Sequence, residues 1–304
     1  MTGDDSLPLA VEALKTIPVL QDFRGDIVRL GGLTNLVFKV GEFCLRIPGQ
    51  GTEEYIDRAN ENVAAREAAR AGVSPQVLHF DSASGVMVTR FIEGSETMTP
   101  ENFRLRAGSP ARAGRAFRML HDSGAKFPFR FELFSMIDDY LKILSTKDVL
   151  LPAGYHDVVR EAEAIRTALA AHPLPLTACH CDPLCENFLD TGERMWIVDW
   201  EYAGMNDPLW DLGDLSVEGR FDAAQDEEMM RAYFGGEPRP AKRGRVVIYK
   251  AMCDLLWTLW GLIQLANDNP ADDFRAYADN RFARCKALME TPEFGRHVAA
   301  VAKG

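Results

Sequence analysis

The chain has 304 residues, 47% hydrophobic and 26% charged, with a formal net charge of −11. That length suits two lobes or one large domain with a sizeable core, and the composition is that of an ordinary globular protein. The acidic balance argues against a general nucleic-acid surface and suits a cationic small molecule.

Met1 to Ala10 has neither a basic start nor an apolar run, unlike a signal peptide. The first third is expected to be β-rich. Asp26 to Leu30 is a strand candidate, followed by the turn Gly31-Gly32-Leu33-Thr34-Asn35. Leu36 to Val40 and Phe43 to Ile47 are predicted strands joined by a tight hairpin at Gly41-Glu42. A helix from about Thr52 to Ala71 ends at Gly72, with Pro75 just beyond. Strands over Val77 to Phe80 and Val86 to Phe91, split by a turn at Ser82 to Gly85, complete a small α+β lobe.

The pattern changes after Glu93-Gly94, which places the boundary between two lobes, 1–93 and 94–304, with a hinge at Thr89 to Gly94. Ser109-Pro110 has the form of a helix cap followed by Pro at the first helical position. Helical patterns cover about Ala111 to Asp122, Phe131 to Leu144 and Tyr155 to Ala171. A hairpin over Asn187 to Trp200, turning at Thr191-Gly192-Glu193, interrupts them. Helices then resume to the C-terminus, with Asp207 as a cap before Pro208 and breaks at Gly235-Gly236-Glu237-Pro238 and Asn269-Pro270. The longest apolar stretch, Ala251 to Ala266, is interrupted by Asp254 and Gln264 and is too short and polar to span a bilayer. No membrane insertion and a cytoplasmic location are therefore expected; the sequence argues neither for nor against a homo-oligomer.

The most informative stretch is His180-Cys181-Asp182-Pro183-Leu184-Cys185-Glu186-Asn187, followed by the hairpin that ends in Ile197-Val198-Asp199-Trp200-Glu201. An acid, an Asn five positions on and a second acid twelve later is the spacing used in kinase-type phosphoryl transfer. The first acid accepts the proton of the attacking hydroxyl, and the Asn oxygen and the second acid hold the magnesium that bridges the phosphates of ATP. Asp182 is thus the candidate base, and Asn187 and Asp199 are the candidate metal ligands. The acids taken singly would also suit helix caps or a solvated loop. Cys179, His180, Cys181 and Cys185 invite comparison with a zinc site, but they lack a Cys-x-x-Cys pair, and buried thiols are the better reading.

Upstream, Gly32, Thr34 and Asn35 sit in a glycine turn between two strands, where main-chain N–H groups can approach phosphates; a plain hairpin turn would look the same. Neither a Walker-type loop nor a Gly-x-Gly-x-x-Gly after a strand occurs. Arg46, between Leu45 and Ile47 on a predicted strand, can grip phosphate oxygens bidentately. It needs a carboxylate from the following helix. Glu61 is best placed, with Glu53, Glu54 and Glu67 as competitors. Further on, Asp211 and Glu218 can share a helical face, and Asp211 could face the site. Trp257 and Trp260 are three apart on a helix apolar on nearly all sides. Two indoles near carboxylates suit an onium cation, and they equally suit core packing.

These residues resemble the choline/ethanolamine kinase family within the aminoglycoside-phosphotransferase-like group, from about Leu30 to Leu265. The resemblance rests on Gly-Gly-Leu-Thr-Asn at 31–35, Leu45-Arg46-Ile47, His180 to Asn187, Ile197 to Tyr202, Asn206 to Leu212 and the segment Leu256 to Gln264 with its Trp-x-x-Trp. It implies a bilobal protein-kinase-like α+β fold, with a small β-rich N-lobe and a larger, mainly helical C-lobe. It also implies ATP and magnesium as cofactors and a small amino-alcohol acceptor. Arg46 paired with Glu61 would hold phosphates, and Trp257, Trp260 and Glu218 would line the acceptor pocket. Further aromatics close that pocket in the family, and Phe221 or Tyr233 are the candidates here. Rival expectations keep the fold but change the acceptor to ethanolamine, thiamine, an aminoglycoside or another small alcohol. A rival of another class is a non-catalytic nucleotide-binding regulatory module.

Overall fold

The computed structural model describes residues 6–31, 35–49 and 56–304. Helix α1 (Leu7–Thr16) precedes strands β1 (Ile27–Gly31), β2 (Leu36–Val40) and β3 (Phe43–Ile47). Helix α2 (Arg58–Arg70) then leads to β4 (Val77–Phe80) and β5 (Met87–Arg90). The five strands form one antiparallel sheet in the order β1-β2-β3-β5-β4. The β2–β3 hairpin pairs Val40 with Phe43 around Gly41, whose φ of +61° is the left-handed conformation such a two-residue turn demands.

Alternation along β3 decides what faces where. Leu45 is fully buried against Phe38, Val40 and Val88, and Arg46, opposite Val37 and Met87, points the other way. The Leu45 face is covered by Ala10 and Ala13 of α1, with Ile17 and Leu20 just beyond. That helix was not expected in a β-rich first third. Its buried positions are alanines, which give little hydrophobic periodicity, and packing on the sheet is what orders it. Helix α2 begins later than Thr52. The Asp57 carboxylate accepts from the N–H groups of Ala59 (2.9 Å) and Asn60 (3.1 Å), which starts the helix at Arg58.

The C-terminal lobe is mainly helical: α3 (Pro100–Leu105), α4 (Ser109–Asp122), α5 (Leu133–Leu144), α6 (Tyr155–Ala171), α7 (Leu209–Glu218), α8 (Ala223–Phe234), α9 (Pro240–Ala266), α10 (Phe274–Met289) and α11 (Pro292–Lys303). Short strands interrupt them: β6 (Glu96–Thr97), β7 (Thr177–Cys179), β8 (Phe188–Asp190), β9 (Met195–Ile197) and β10 (Gly204–Asn206). Strands β8 and β9 are the expected hairpin and add β6; β7 pairs with β10. Two caps shift by one residue from their expected places. Helix α4 begins at Ser109 itself, whose hydroxyl bonds to Phe103 O, and Gly108 takes the cap position. Helix α7 begins at Leu209, whose N–H is accepted by Asp207 at 3.0 Å while Arg245 pairs with the other oxygen at 2.5 Å.

Helix α9 is the axis of this lobe and is buried along most of its length. Two glycines let its neighbours come close. A Cβ on Gly213 of α7 would lie 2.7 Å from Tyr249 Cβ and 2.9 Å from Val246 O. A Cβ on Gly261 of α9 would lie 2.6 Å from the Tyr277 ring of α10. These close packings bring α7 and α10 onto α9.

Candidate active site

The His180–Asn187 loop joins β7 to β8, and Asp211 in the first turn of α7 holds its main chain. One Asp211 oxygen accepts from His180 N–H at 2.8 Å, and the other accepts from Cys181 N–H at 2.9 Å. The first also accepts from His121 Nε2 at 3.0 Å, and Tyr233 donates its hydroxyl to His121 Nδ1 at 2.9 Å. Trp210 Nε1 donates to Cys181 O at 3.0 Å. These bonds support the left-handed backbone of Cys181, at φ +69°, a costly conformation for a residue with a Cβ. Asp211 is fully buried with both oxygens engaged, so it does not face the acceptor. This corrects the expectation from sequence: the loop that carries Asp182 folds against α7, and its main-chain N–H groups take both carboxylate oxygens.

The anchoring role carries a prediction. Asp211→Asn leaves one acceptor oxygen where two N–H groups and an imidazole need two. It is expected to lower the melting temperature and kcat while leaving the acceptor KM near wild type, since a buried donor left unpaired costs about 1–3 kcal/mol. A raised acceptor KM with unchanged melting temperature, by kinetics and calorimetry, would instead return Asp211 to the pocket wall.

Asp182 follows this anchor and is half-buried. Asn187 Nδ2 donates to Asp182 O at 3.2 Å, and Leu184 N–H donates to the same carbonyl at 2.9 Å. Burial, then Glu218, pushes the Asp182 carboxyl up to about 7, with Arg281 pulling the other way. Tyr140 lies nearby, its hydroxyl pushed up to about 12 by burial and then by Asp182. Val198 N–H donates to Asn187 O at 2.9 Å, which sets Asn187 beside the segment carrying Asp199. His180 Nε2 donates to Val198 O at 3.0 Å, tying the loop to the same segment. Cys179 and Cys181 are fully buried thiols beside main-chain carbonyls, and burial pushes both well up.

Asp199 has a left-handed backbone at φ +67°, which turns its carboxylate towards the N-terminal lobe. Arg46 Nη1 lies 3.7 Å from Asp199 Oδ1 and 3.5 Å from Glu201 Oε1, and it pairs closely with Glu61. Glu67 turns elsewhere, to Arg70; Glu53 and Glu54 lie outside the described residues, as do Gly32 and Thr34. Asn35 is described: its Nδ2 donates to Glu201 Oε1 at 3.3 Å.

Two residues here were missed from sequence. Glu201 accepts from Arg58 Nη1 at 2.6 Å, and the same nitrogen reaches Glu61 Oε2 at 2.7 Å. Glu201 stands two positions after Asp199, a spacing that hinted at a shared side. Arg58 opens α2, one turn before Glu61, but nothing local tied it to Glu201. Donor atoms of Glu61, Asp199 and Glu201 lie within 4.8 Å of one another. Burial, then Glu201, holds the Asp199 carboxyl well above its usual range. A crowded carboxylate cluster of this kind fits a hard divalent cation.

The residues expected to line the acceptor pocket come from α7 and α9, and α10 packs beside them. Trp257 is buried and Trp260 half-buried, ring centroids 6.3 Å apart and perpendicular. Tyr202 meets Trp257 at 5.8 Å, and Tyr277 meets Trp260 at 5.8 Å. Phe221 and Tyr233 do not complete this group: Phe221 packs on Phe103 at 5.1 Å, and Tyr233 serves His121. Tyr202 and Tyr277 take that place because the Asp199 segment and α10 fold against α9, which no spacing within α7 or α8 could reveal. Glu218 is half-buried and accepts from Arg281 Nη2 at 2.5 Å.

The chain matches known proteins over nearly its whole length. Residues 27–243 match the phosphotransferase enzyme family. A crystal structure of a choline/ethanolamine kinase family protein from Mesorhizobium loti is 77% identical, covers 98% of this chain and 99% of its own, and superposes with a TM-score of 0.93. Protein LicA of Haemophilus influenzae is 27% identical over 86% of this chain and 80% of its own length. A structure of LicA in complex with AMP is 25% identical, covers 87% of this chain and 91% of its own, and has a TM-score of 0.70. The small antiparallel-sheet lobe and the mainly helical lobe are those of a protein-kinase-like fold, and the chain belongs to the choline/ethanolamine kinase family within the phosphotransferase enzyme family.

Proposed function

We propose that this protein transfers the γ-phosphoryl group of ATP to the hydroxyl of choline or a closely related amino alcohol. The observation that carries the reading is the cleft itself: Asp182, Asn187 and Asp199 on one side, Arg46 with Glu61 on the other, and the indoles of Trp257 and Trp260 at the acceptor end. Asp182 orients the acceptor hydroxyl and takes its proton; Arg46 neutralises charge on the phosphates. Asn187 and Asp199 would hold magnesium, with Glu201 and Glu61 adjacent, and the ion would supply charge neutralisation on the phosphates. The lobe of 1–93 would carry the nucleotide and that of 94–304 the acceptor, and a cytoplasmic location, where ATP and magnesium are available, belongs to the same reading. The test is an ATP-dependent phosphorylation screen over choline, ethanolamine, thiamine and aminoglycosides, read by mass. A product with thiamine or an aminoglycoside alone would change the acceptor, and no turnover with any alcohol would leave a nucleotide-binding regulatory module.

The two tryptophans are expected to behave differently. An onium ion over an indole gains about 0.5 to 2 kcal/mol, more when desolvated. Trp260→Ala is expected to raise the acceptor KM with little change in ATP KM and a modest fall in melting temperature. Trp257 is 4% exposed, so Trp257→Ala should raise the acceptor KM and also lose about 3–5 kcal/mol of stability. Melting temperatures that fall with an unchanged acceptor KM would make both residues core only.

A further inference from the structure

Resting on the amino-alcohol reading above, the acceptor wall poses a question of charge. Glu218, the acid expected to face the onium ion, already has a counterion in Arg281, 2.5 Å away. Arg281 also reaches Asp254 at 3.2 Å, and Arg284 grips Asp254 at 3.1 and 2.5 Å. The guanidinium of Arg281 lies over the Tyr277 ring, 4.6 Å from its centroid. Two acids and two arginines cancel, so this quartet contributes no net charge to the pocket.

Asp214 is left over. It is fully buried on α7, one turn before Glu218 and on the same helical face. Among the described residues no lysine or arginine pairs with it. Cys253 Sγ donates to its Oδ1 at 3.0 Å, and its Oδ2 is buried without a hydrogen-bond partner. Cys253 stands one turn before Trp257 on α9, so this carboxyl lies where the charged face of α7 meets the indole face of α9. Donor atoms of Asp214, Glu218 and Cys253 lie within 4.8 Å of one another.

We propose that Asp214, behind the base Asp182, is an uncompensated negative charge of the acceptor pocket. Without touching the acceptor, it makes the pocket select a cationic head over a neutral one of the same shape, and it releases a proton to the buffer as that cation enters. The groups facing it set the direction. Burial first, then Glu218 and Asp182, holds its carboxyl well above the usual range, while Cys253 and Arg281 oppose them. The Cys253 thiol is itself pushed well up by burial, as is the Tyr277 hydroxyl, so both stay neutral; Asp254 is satisfied by its arginines. Burial and the neighbouring acids thus favour the protonated form of Asp214 while no cation is near. A fixed positive charge arriving beside Glu218 makes the ionised form cheaper, and a low-dielectric interior transmits that effect over several ångströms.

Asp214→Asn keeps the shape and removes the charge. The measurements are acceptor kcat/KM at saturating magnesium–ATP for the better of choline and ethanolamine, and for the neutral alcohol in which carbon replaces the ammonium nitrogen. Proton release on acceptor binding is counted by calorimetry in two buffers of different ionisation enthalpy. Wild type is expected to prefer the cation and to release protons as it binds. The variant should lose about tenfold or more of that preference, an effect of the size expected for one charge at several ångströms, keep its ATP KM, and release clearly fewer protons than wild type, leaving only the share of Asp182. If wild type phosphorylates an amino alcohol yet releases no proton, the inference is overturned without recourse to any variant. A variant that keeps the full cation preference overturns it too. If wild type turns over no amino alcohol, the functional reading itself fails, which the wild-type assay shows first.

Discussion

Asp182→Asn is expected to lower turnover at least about 10²-fold while ATP binding is largely kept. The amide preserves the size and the main-chain bonds through which Asn187 and Leu184 hold this residue, and removes only the base and its charge. Burial and Glu218 set the wild-type carboxyl at about 7, so the form that can accept a proton grows in as pH rises through neutrality. Acceptor kcat/KM should fall on the acid side of that value in wild type, and the variant's residual activity should be flat there. Stability moves the other way. The native carboxyl keeps its proton between the ordinary value of 3.8 and about 7, where the unfolded chain gives it up, so this group costs stability as pH rises through that window. Asp182→Asn should therefore melt no lower than wild type at pH 8. Turnover within a few-fold of wild type would remove Asp182 from the role of base.

Asp199→Ala is expected to abolish magnesium-dependent nucleotide binding and activity. Magnesium takes oxygen ligands and otherwise keeps waters and phosphate oxygens, so loss of a carboxylate removes much of the protein's share of the site. The same change leaves Arg46 with Glu61 and Glu201, so the arginine stays anchored and the fold should hold. Titration calorimetry with magnesium–ATP checks this directly. Affinity equal to wild type would exclude Asp199 as a ligand, and a cooperative thermal transition would show that any loss is not unfolding.

The remaining expectations divide according to how far apart in the chain the interacting groups lie. The strands around Arg46, the β8–β9 hairpin and the long C-terminal helices were legible because each depends on alternation, turn residues or periodicity within a few residues. The strand β3 places Arg46 opposite the core face by its own pleat, so a cation flanked by Leu45 and Ile47 already indicated a polar side. The acid–Asn–acid spacing was legible for the same reason: Asp182, Asn187 and Asp199 all belong to one loop and the hairpin that follows it. The strands β6, β7 and β10, two or three residues each, carried no such signal, because pairing with distant chain is what makes them strands.

By itself, then, the sequence determined which residues could do kinase chemistry and the order of the elements that present them, since these follow from local geometry. Only the tertiary structure decided which charges are spent on one another. Asp211 meets the His180 and Cys181 amides across 31 and 30 positions, Arg58 meets Glu201 across 143, and Arg281 meets Glu218 across 63. In a desolvated cleft each such pairing settles whether an acid is an anchor, a counterion or a free charge. Ionic pairing is blind to sequence distance, so Asp211, Glu218 and Asp214, three acids on one short helix, come to have three different environments.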